Sequence, residues 1–128
     1  MTWVKLVNLA LPESIVSIGE DAFYGLSSLK NLTVSGELDT SNWLAAYHDN
    51  PLDSVTFTGT RVISQKVRWH DEYSYSIENM PGRYARKVIL RDTITEIEEF
   101  AFCNQSNLEE LVMSPNVRAI GRGAFQGC

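Results

Sequence analysis

The chain has 128 residues, of which 44% are hydrophobic and 21% charged, and its formal net charge is −5. This length suffices for one folded domain with a buried core. The acidic balance excludes the clustered Lys and Arg of a nucleic-acid surface, and no apolar run approaches the roughly 18 residues of a membrane-spanning helix. We therefore expect neither nucleic-acid binding nor membrane insertion.

The first predicted element is a strand in a segment that opens at Leu6, and the same pattern returns four times along the chain. The later segments open at Leu29, Leu52, Ala85 and Leu108. Apolar residues follow three and five positions on: Leu9, Leu32, Val55, Val88 and Leu111, then Leu11, Val34, Phe57, Leu90 and Met113. The spacing L-x-x-L-x-L is the leucine-rich-repeat signature, and its second half has the period of a β-strand.

A second pattern predicts the return side of each coil. The strings IGEDAF, IEEFAF and IGRGAF end at Phe23, Phe102 and Phe125. Stacked coils would place these rings in one column, and Ile18, Ile97 and Ile120 in another. We predict a leucine-rich-repeat solenoid, a right-handed superhelix of about five coils. It would carry a parallel β-sheet on one face and short strands with helical turns on the other.

The predicted units are 6–28, 29–51, 52–84, 85–107 and 108–128, and the third is enlarged by an insertion of about ten residues. Arg61 interrupts the next apolar column, which otherwise holds Ile15, Leu38, Ile94 and Val117. Residues 67–77 alternate apolar and polar, which predicts a hairpin, or an elongated return strand, with a turn near Asp71. Trp69, Tyr73 and Tyr75 could form a ligand-binding aromatic shelf. Alternatively, they cover a side left bare by the missing Phe of unit two and the missing Ile of unit three.

The motif I-x-x-I-G-x-x-A-F-x-x-C, followed by L-x-x-L-x-L, resembles the BspA-type leucine-rich repeat of bacterial and protist surface proteins. Residues 6–29 and 85–128 match it closely, and 35–84 only in part. The family cysteine falls at Cys128, whereas Leu26 and Gln105 stand there in the other good copies. The resemblance implies a protein-binding or adhesion module at the cell surface or secreted, without catalytic residues. It transfers no functional residue, because its motif is structural.

The outward-facing strand positions are the first candidate binding surface. Asn8, Asn31, Thr33, Ser54 and Thr56 would form a flat polar face able to bind a protein or a glycan. The alternative is an ordinary solvated sheet. At the same phase in the next two coils, Lys87 and Glu110 are expected to form a cross-strand ion pair.

Groups that could catalyse a reaction are scarce. The only histidines lie in His48-Asp49 and His70-Asp71-Glu72, and neighbours on an extended strand alternate sides, so the latter three cannot share one metal. No cofactor or hydrolase motif occurs. The two cysteines are predicted to be free thiols packed as small apolar groups. We predict no cofactor and no metal; an enzyme with His70 or His48 as base is the remote alternative.

The chain is interpreted as a single repeat domain, 1–128, cut from a longer array. Leu111, Met113 and Phe125 would line an open end, which invites end-to-end self-association. The predicted function is a non-enzymatic protein-binding or adhesion module. The alternative is a purely architectural spacer in a larger protein.

Overall fold

The computed structural model describes residues 6–19, 28–38, 52–64, 67–72, 74–77, 85–103, 105 and 107–128. Phe23, Tyr73 and the Met80-Pro81-Gly82 segment lie outside the described residues. The strands are β1 (Asn8–Ala10), β2 (Asn31–Ser35), β3 (Leu52–Thr58), β4 (Arg61–Val62), β5 (Val67–Trp69), β6 (Tyr75–Ile77), β7 (Ala85–Leu90), β8 (Glu96–Ile97), β9 (Glu110–Val112) and β10 (Ala119–Ile120).

The five repeat segments form one parallel sheet in the order β1-β2-β3-β7-β9. Its register places Leu9, Leu32, Val55, Val88 and Leu111 side by side. The predicted strand positions and their parallel alignment are therefore confirmed. The physical reason is that the coils share a length apart from the insertion in unit three, so equivalent side chains meet and bury one another.

A small second sheet, in the order β10-β8-β4, forms the return side. Here the predicted register of unit three was wrong. Arg61 lies four positions after Phe57, whereas Glu96 lies six positions after Leu90, the partner of Phe57. Arg61 therefore pairs with Glu96 and not with Ile94. Val62 then fills the place beside Ile97 and is fully buried. Val62 therefore takes the place of the Ile that was expected to be missing from unit three.

The core lies between the two sheets and is most closed at the middle coils. Val55 and Val88 are fully buried, while Leu9 and Leu111 in the outer coils are only half-buried. Phe102 is fully buried, with its ring edge-on to Phe57 at 5.7 Å and stacked on Phe125 at 5.4 Å.

Two residues predicted to be inward are instead solvent-exposed. Met113 is 39% exposed and Ile120 is 53% exposed. Both lie in the last described coil, where the neighbouring coil covers one side of the column and no described residue covers the other.

The described residues contain no helix. The return bends use bonds between residues three apart: the amide of Ala101 donates to Glu98 O at 3.2 Å, and that of Ala124 to Gly121 O at 3.2 Å. Helical turns, the right-handed sense and the number of coils stay predictions.

Candidate functional site

A hydrogen-bonded ladder crosses the outer face of the sheet. The hydroxyl of Ser54 donates to Asn31 Oδ1 at 2.7 Å, and Asn31 Nδ2 donates to Asn8 Oδ1 at 2.8 Å. The cause is the repeat period, which puts these three side chains at one phase of adjacent strands. The sequence placed them together correctly. Their polar groups bind one another, so a ligand would have to compete with the ladder.

The ladder continues as charged pairs in the next coils. Lys87 Nζ lies 3.0 Å from Glu110 Oε2, which confirms the predicted cross-strand ion pair. One row over, Arg86 lies 3.4 Å from Asp53. All four side chains are substantially exposed, so each pair contributes no more than about 1 kcal/mol to stability.

Thr33 and Thr56 lie on a second outward row, which Ile89 and Val112 extend across the sheet. The first three are half-buried and Val112 is 41% exposed. All four side chains in this row are β-branched, and two of them are polar and two apolar.

A groove at the carboxyl ends of β3, β7 and β9 adjoins this row; we call it the strand-end groove. Its volume is about 540 Å³. Its lining is Glu13, Thr58, Gly59, Ile89, Leu90, Arg91, Asp92, Thr93, Val112 and Met113. The wall formed by Ile89, Val112 and Met113 is apolar. The repeat pattern does not predict this groove, because Met113 has the spacing of an interior residue.

The predicted hairpin in the insertion is confirmed. β5 and β6 are antiparallel, with Trp69 opposite Tyr75. The turn is closed by Ser74, whose amide donates to Asp71 Oδ1 at 2.8 Å and whose carbonyl accepts from the amide of His70 at 2.9 Å. Tyr73 lies outside the described residues, so the aromatic shelf stays a prediction.

On the return side, Glu98 organises the start of the insertion. Its Oε1 accepts from the backbone amide of Ser64 at 3.0 Å, and its Oε2 lies 3.5 Å from Arg61 Nη1. Arg61 also donates to Glu37 at 2.9 Å. That hydrogen bond, and the charges of Glu37 and Glu98, raise the pKa of Arg61.

The two cysteines are thiols not joined in a disulfide, and they differ in exposure. Cys103 is buried as predicted, but Cys128 is exposed, which corrects its expected packing. The Cys128 thiol donates to Phe102 O at 3.2 Å, and its pKa is raised chiefly by desolvation and also by the Cys103 thiol. At the equivalent position one coil earlier, Gln105 is fully buried, and its side-chain amide has no hydrogen-bond partner among the described residues.

Across the described part of the chain, no group of three or more His, Cys, Asp and Glu residues could hold a metal ion. His70, Asp71 and Glu72 are all exposed at the hairpin turn, and His48 lies outside the described residues. Nor do the described residues include a helix of the length and hydropathy that would cross a bilayer.

Stacked parallel strands, a dry interior of repeat-phase aliphatic side chains and a second short sheet on the return side define a leucine-rich-repeat protein. The comparison with known families makes this specific: the BspA-type leucine rich repeat region matches residues 2–128 in six copies. The chain belongs to this family, whose repeats are generally non-enzymatic interaction modules. No curated protein and no solved structure matches the chain significantly.

Proposed function

We propose that this chain is a non-enzymatic protein-binding module of a cell-surface or secreted protein, and that the strand-end groove receives the partner. The observation that carries the proposal is the exposed apolar wall of Val112 and Met113 beside a rigid sheet. Binding sites for macromolecules combine such an apolar centre with a polar rim.

The rim indicates the chemistry of the partner. Glu13 and Asp92 place two carboxylates on the groove against the single guanidinium of Arg91. Complementary charge speeds encounter and selects partners. We therefore propose a protein segment that carries an apolar side chain flanked by Lys or Arg.

The experiment pans a random peptide library against the intact chain. Enriched peptides are then measured by calorimetry against Val112→Glu, with Val16→Glu as the matched control, because Val16 is 48% exposed and does not line the groove. We expect enriched peptides to be basic and apolar. Binding should fall at least about tenfold in Val112→Glu alone, a loss typical of an interface hot spot, with the melting temperature unchanged in both variants.

A second variant distinguishes the strand-end groove from the aromatic shelf as the binding site. Replacing Trp69, Tyr73 and Tyr75 together by Ala should leave peptide binding intact if the groove is the site. Loss of binding here, with Val112→Glu unaffected, would move the site to the aromatic shelf of the hairpin.

The architectural spacer is the second candidate, and the self-satisfied ladder of Asn8, Asn31 and Ser54 favours it. When the polar groups of a surface already hydrogen-bond to one another, fewer donors and acceptors are available to a ligand. Panning that enriches no peptide at all would support the spacer over the binding module.

A further inference from the structure

The strand-end groove has an apolar contact in the middle of the main sheet. Ile89 lies beside Thr56 of β3 on one side and Val112 of β9 on the other, so described strands flank it on both sides. Its side chain is half-buried and lines the groove together with Val112. A partner bound in the groove can therefore place an apolar side chain on Ile89.

The acidic contact of the groove lies over Gly59, which has no side chain of its own. Glu13 reaches this point from the first coil, and its Oε1 would lie 3.5 Å from a Cβ at Gly59. Asp92 has the repeat phase of Gly59 one coil later, and its backbone carbonyl accepts from Asn116 Nδ2 at 2.7 Å. Neither carboxylate has an ion pair or a side-chain hydrogen bond among the described residues. Both are available to a cationic group of the partner.

Strand geometry gives the distance between the two contacts. Gly59 lies three positions after Thr56, the partner of Ile89. With about 3.3 Å per residue along a strand and about 4.8 Å between strands, Gly59 is about 11 Å from Ile89 and about 14 Å from Val112. An extended peptide covers this distance in about three to four residues. Side chains four positions apart share a face of such a peptide and those three apart do not, so four positions fit the groove.

The size of the groove favours an extended partner over a helical one. An α-helix with its side chains is about 10–12 Å in diameter, so a helical segment 11 Å long occupies at least about 860 Å³. The groove has a volume of about 540 Å³. An extended segment is thinner and lies deeper in the same space.

We propose that the groove selects an extended protein segment whose basic residue and apolar residue are four positions apart. The basic side chain lies over Gly59, between Glu13 and Asp92, and the apolar side chain lies on Ile89. This inference rests on the proposed function and adds the spacing that the partner must have. Arg91 lines the groove on the same coil as Ile89, so the residue midway between the two contacts should be neutral or acidic.

The first test is a displayed peptide library in which one Lys and one Leu are fixed, in either order, at separations of one to eight positions. The library is panned against the intact chain. A separation of four should be enriched about fivefold over three and five, the largest factor that an exposed ion pair typically gives. Enrichment at seven or eight, the spacing of a helix over this distance, or enrichment without a preferred separation would overturn the inference.

The failure of the spacing and the failure of the proposed function give different results in this test. Peptides that lack the spacing of four but no longer bind Val112→Glu would leave the groove as the binding site and remove only the inference. A library that yields no binder at any separation would overturn both.

The second test reverses the charge of the acidic contact. The variant Glu13→Lys with Asp92→Lys should prefer peptides that carry Glu in place of Lys at the same separation. The matched control, Glu72→Lys with Glu109→Lys, changes the net charge equally at two exposed positions outside the groove and should still prefer Lys. Ile89→Thr should lose the preference for Leu and keep that for Lys. Circular dichroism confirms that each variant is folded, and an unchanged preference for Lys in the reversed variant would refute the assignment.

Discussion

Phe102→Ala is expected to remove a large part of the stability of the domain. The side chain is fully buried and contacts a ring on each side, edge-on to Phe57 at 5.7 Å and stacked on Phe125 at 5.4 Å. Truncating a buried Phe costs about 3–5 kcal/mol, and two ring contacts favour the upper end of that range. Against a total stability of about 5–15 kcal/mol, the variant should unfold about 12–20 °C lower, at roughly 4 °C per kcal/mol for a domain of this size.

Phe125→Ala is the matched control. Its ring has the same repeat phase but is half-buried and stacks on Phe102 alone among the described rings, so its loss should cost about 1–3 kcal/mol. Urea denaturation followed by far-UV circular dichroism measures both variants, and the double variant gives a coupling of about 0.5–1.5 kcal/mol between the rings. Equal costs for the two positions, or a cost below about 1.5 kcal/mol for Phe102→Ala, would refute the argument that burial by neighbouring coils sets the stability.

Three further predictions concern single positions. Gly121→Ala should destabilise the fold by about 1–3 kcal/mol, because a Cβ at this position would overlap the backbone of the preceding coil. Gly19→Ala is the control: it has open space around it and should leave the denaturation midpoint unchanged. Gln105→Leu should raise the free energy of unfolding by about 1–3 kcal/mol, since the buried amide has no hydrogen-bond partner among the described residues. A lower stability would mean that the amide is hydrogen-bonded in solution. Alkylation of Cys128 by iodoacetamide should reach half its maximal rate at a higher pH than in the urea-unfolded chain, because a raised pKa leaves less thiolate at any given pH. An equal or lower midpoint in the folded chain would contradict that direction.

The repeat spacing predicted the main sheet well, because each strand has its own apolar positions and, outside the insertion of unit three, a coil length in common with its neighbours. The same spacing failed just after β3. The turn after β3 is two residues shorter than the turn after β7, and no residue in it signals the difference. The repeat spacing therefore places Arg61 in the column of Ile94. The pairing of Val62 with Ile97 is decided by the neighbouring coil, which accepts only an apolar side chain at that point.

On the outer face of the sheet, too, the sequence predicted part of the arrangement and the structure decided the rest. Asn8, Asn31 and Ser54 could be grouped from their spacing, and Lys87 with Glu110 likewise. The direction of the hydrogen bonds along the ladder could not, because spacing places two side chains side by side without saying which atom donates.

The amino-acid sequence by itself determined the stacked repeats and their parallel strands, because apolar side chains at a fixed period are buried when equivalent positions of successive coils lie side by side. For the insertion it left a hairpin or an elongated return strand open, and the structure shows the hairpin. Only the tertiary structure decided which repeat positions stay exposed. Met113 and Leu90 share a phase, as do Ile120 and Ile97, yet the members of each pair differ in burial. Burial in a stack depends on having a coil on both sides, and that is a property of the position in three dimensions, which the residue type does not encode.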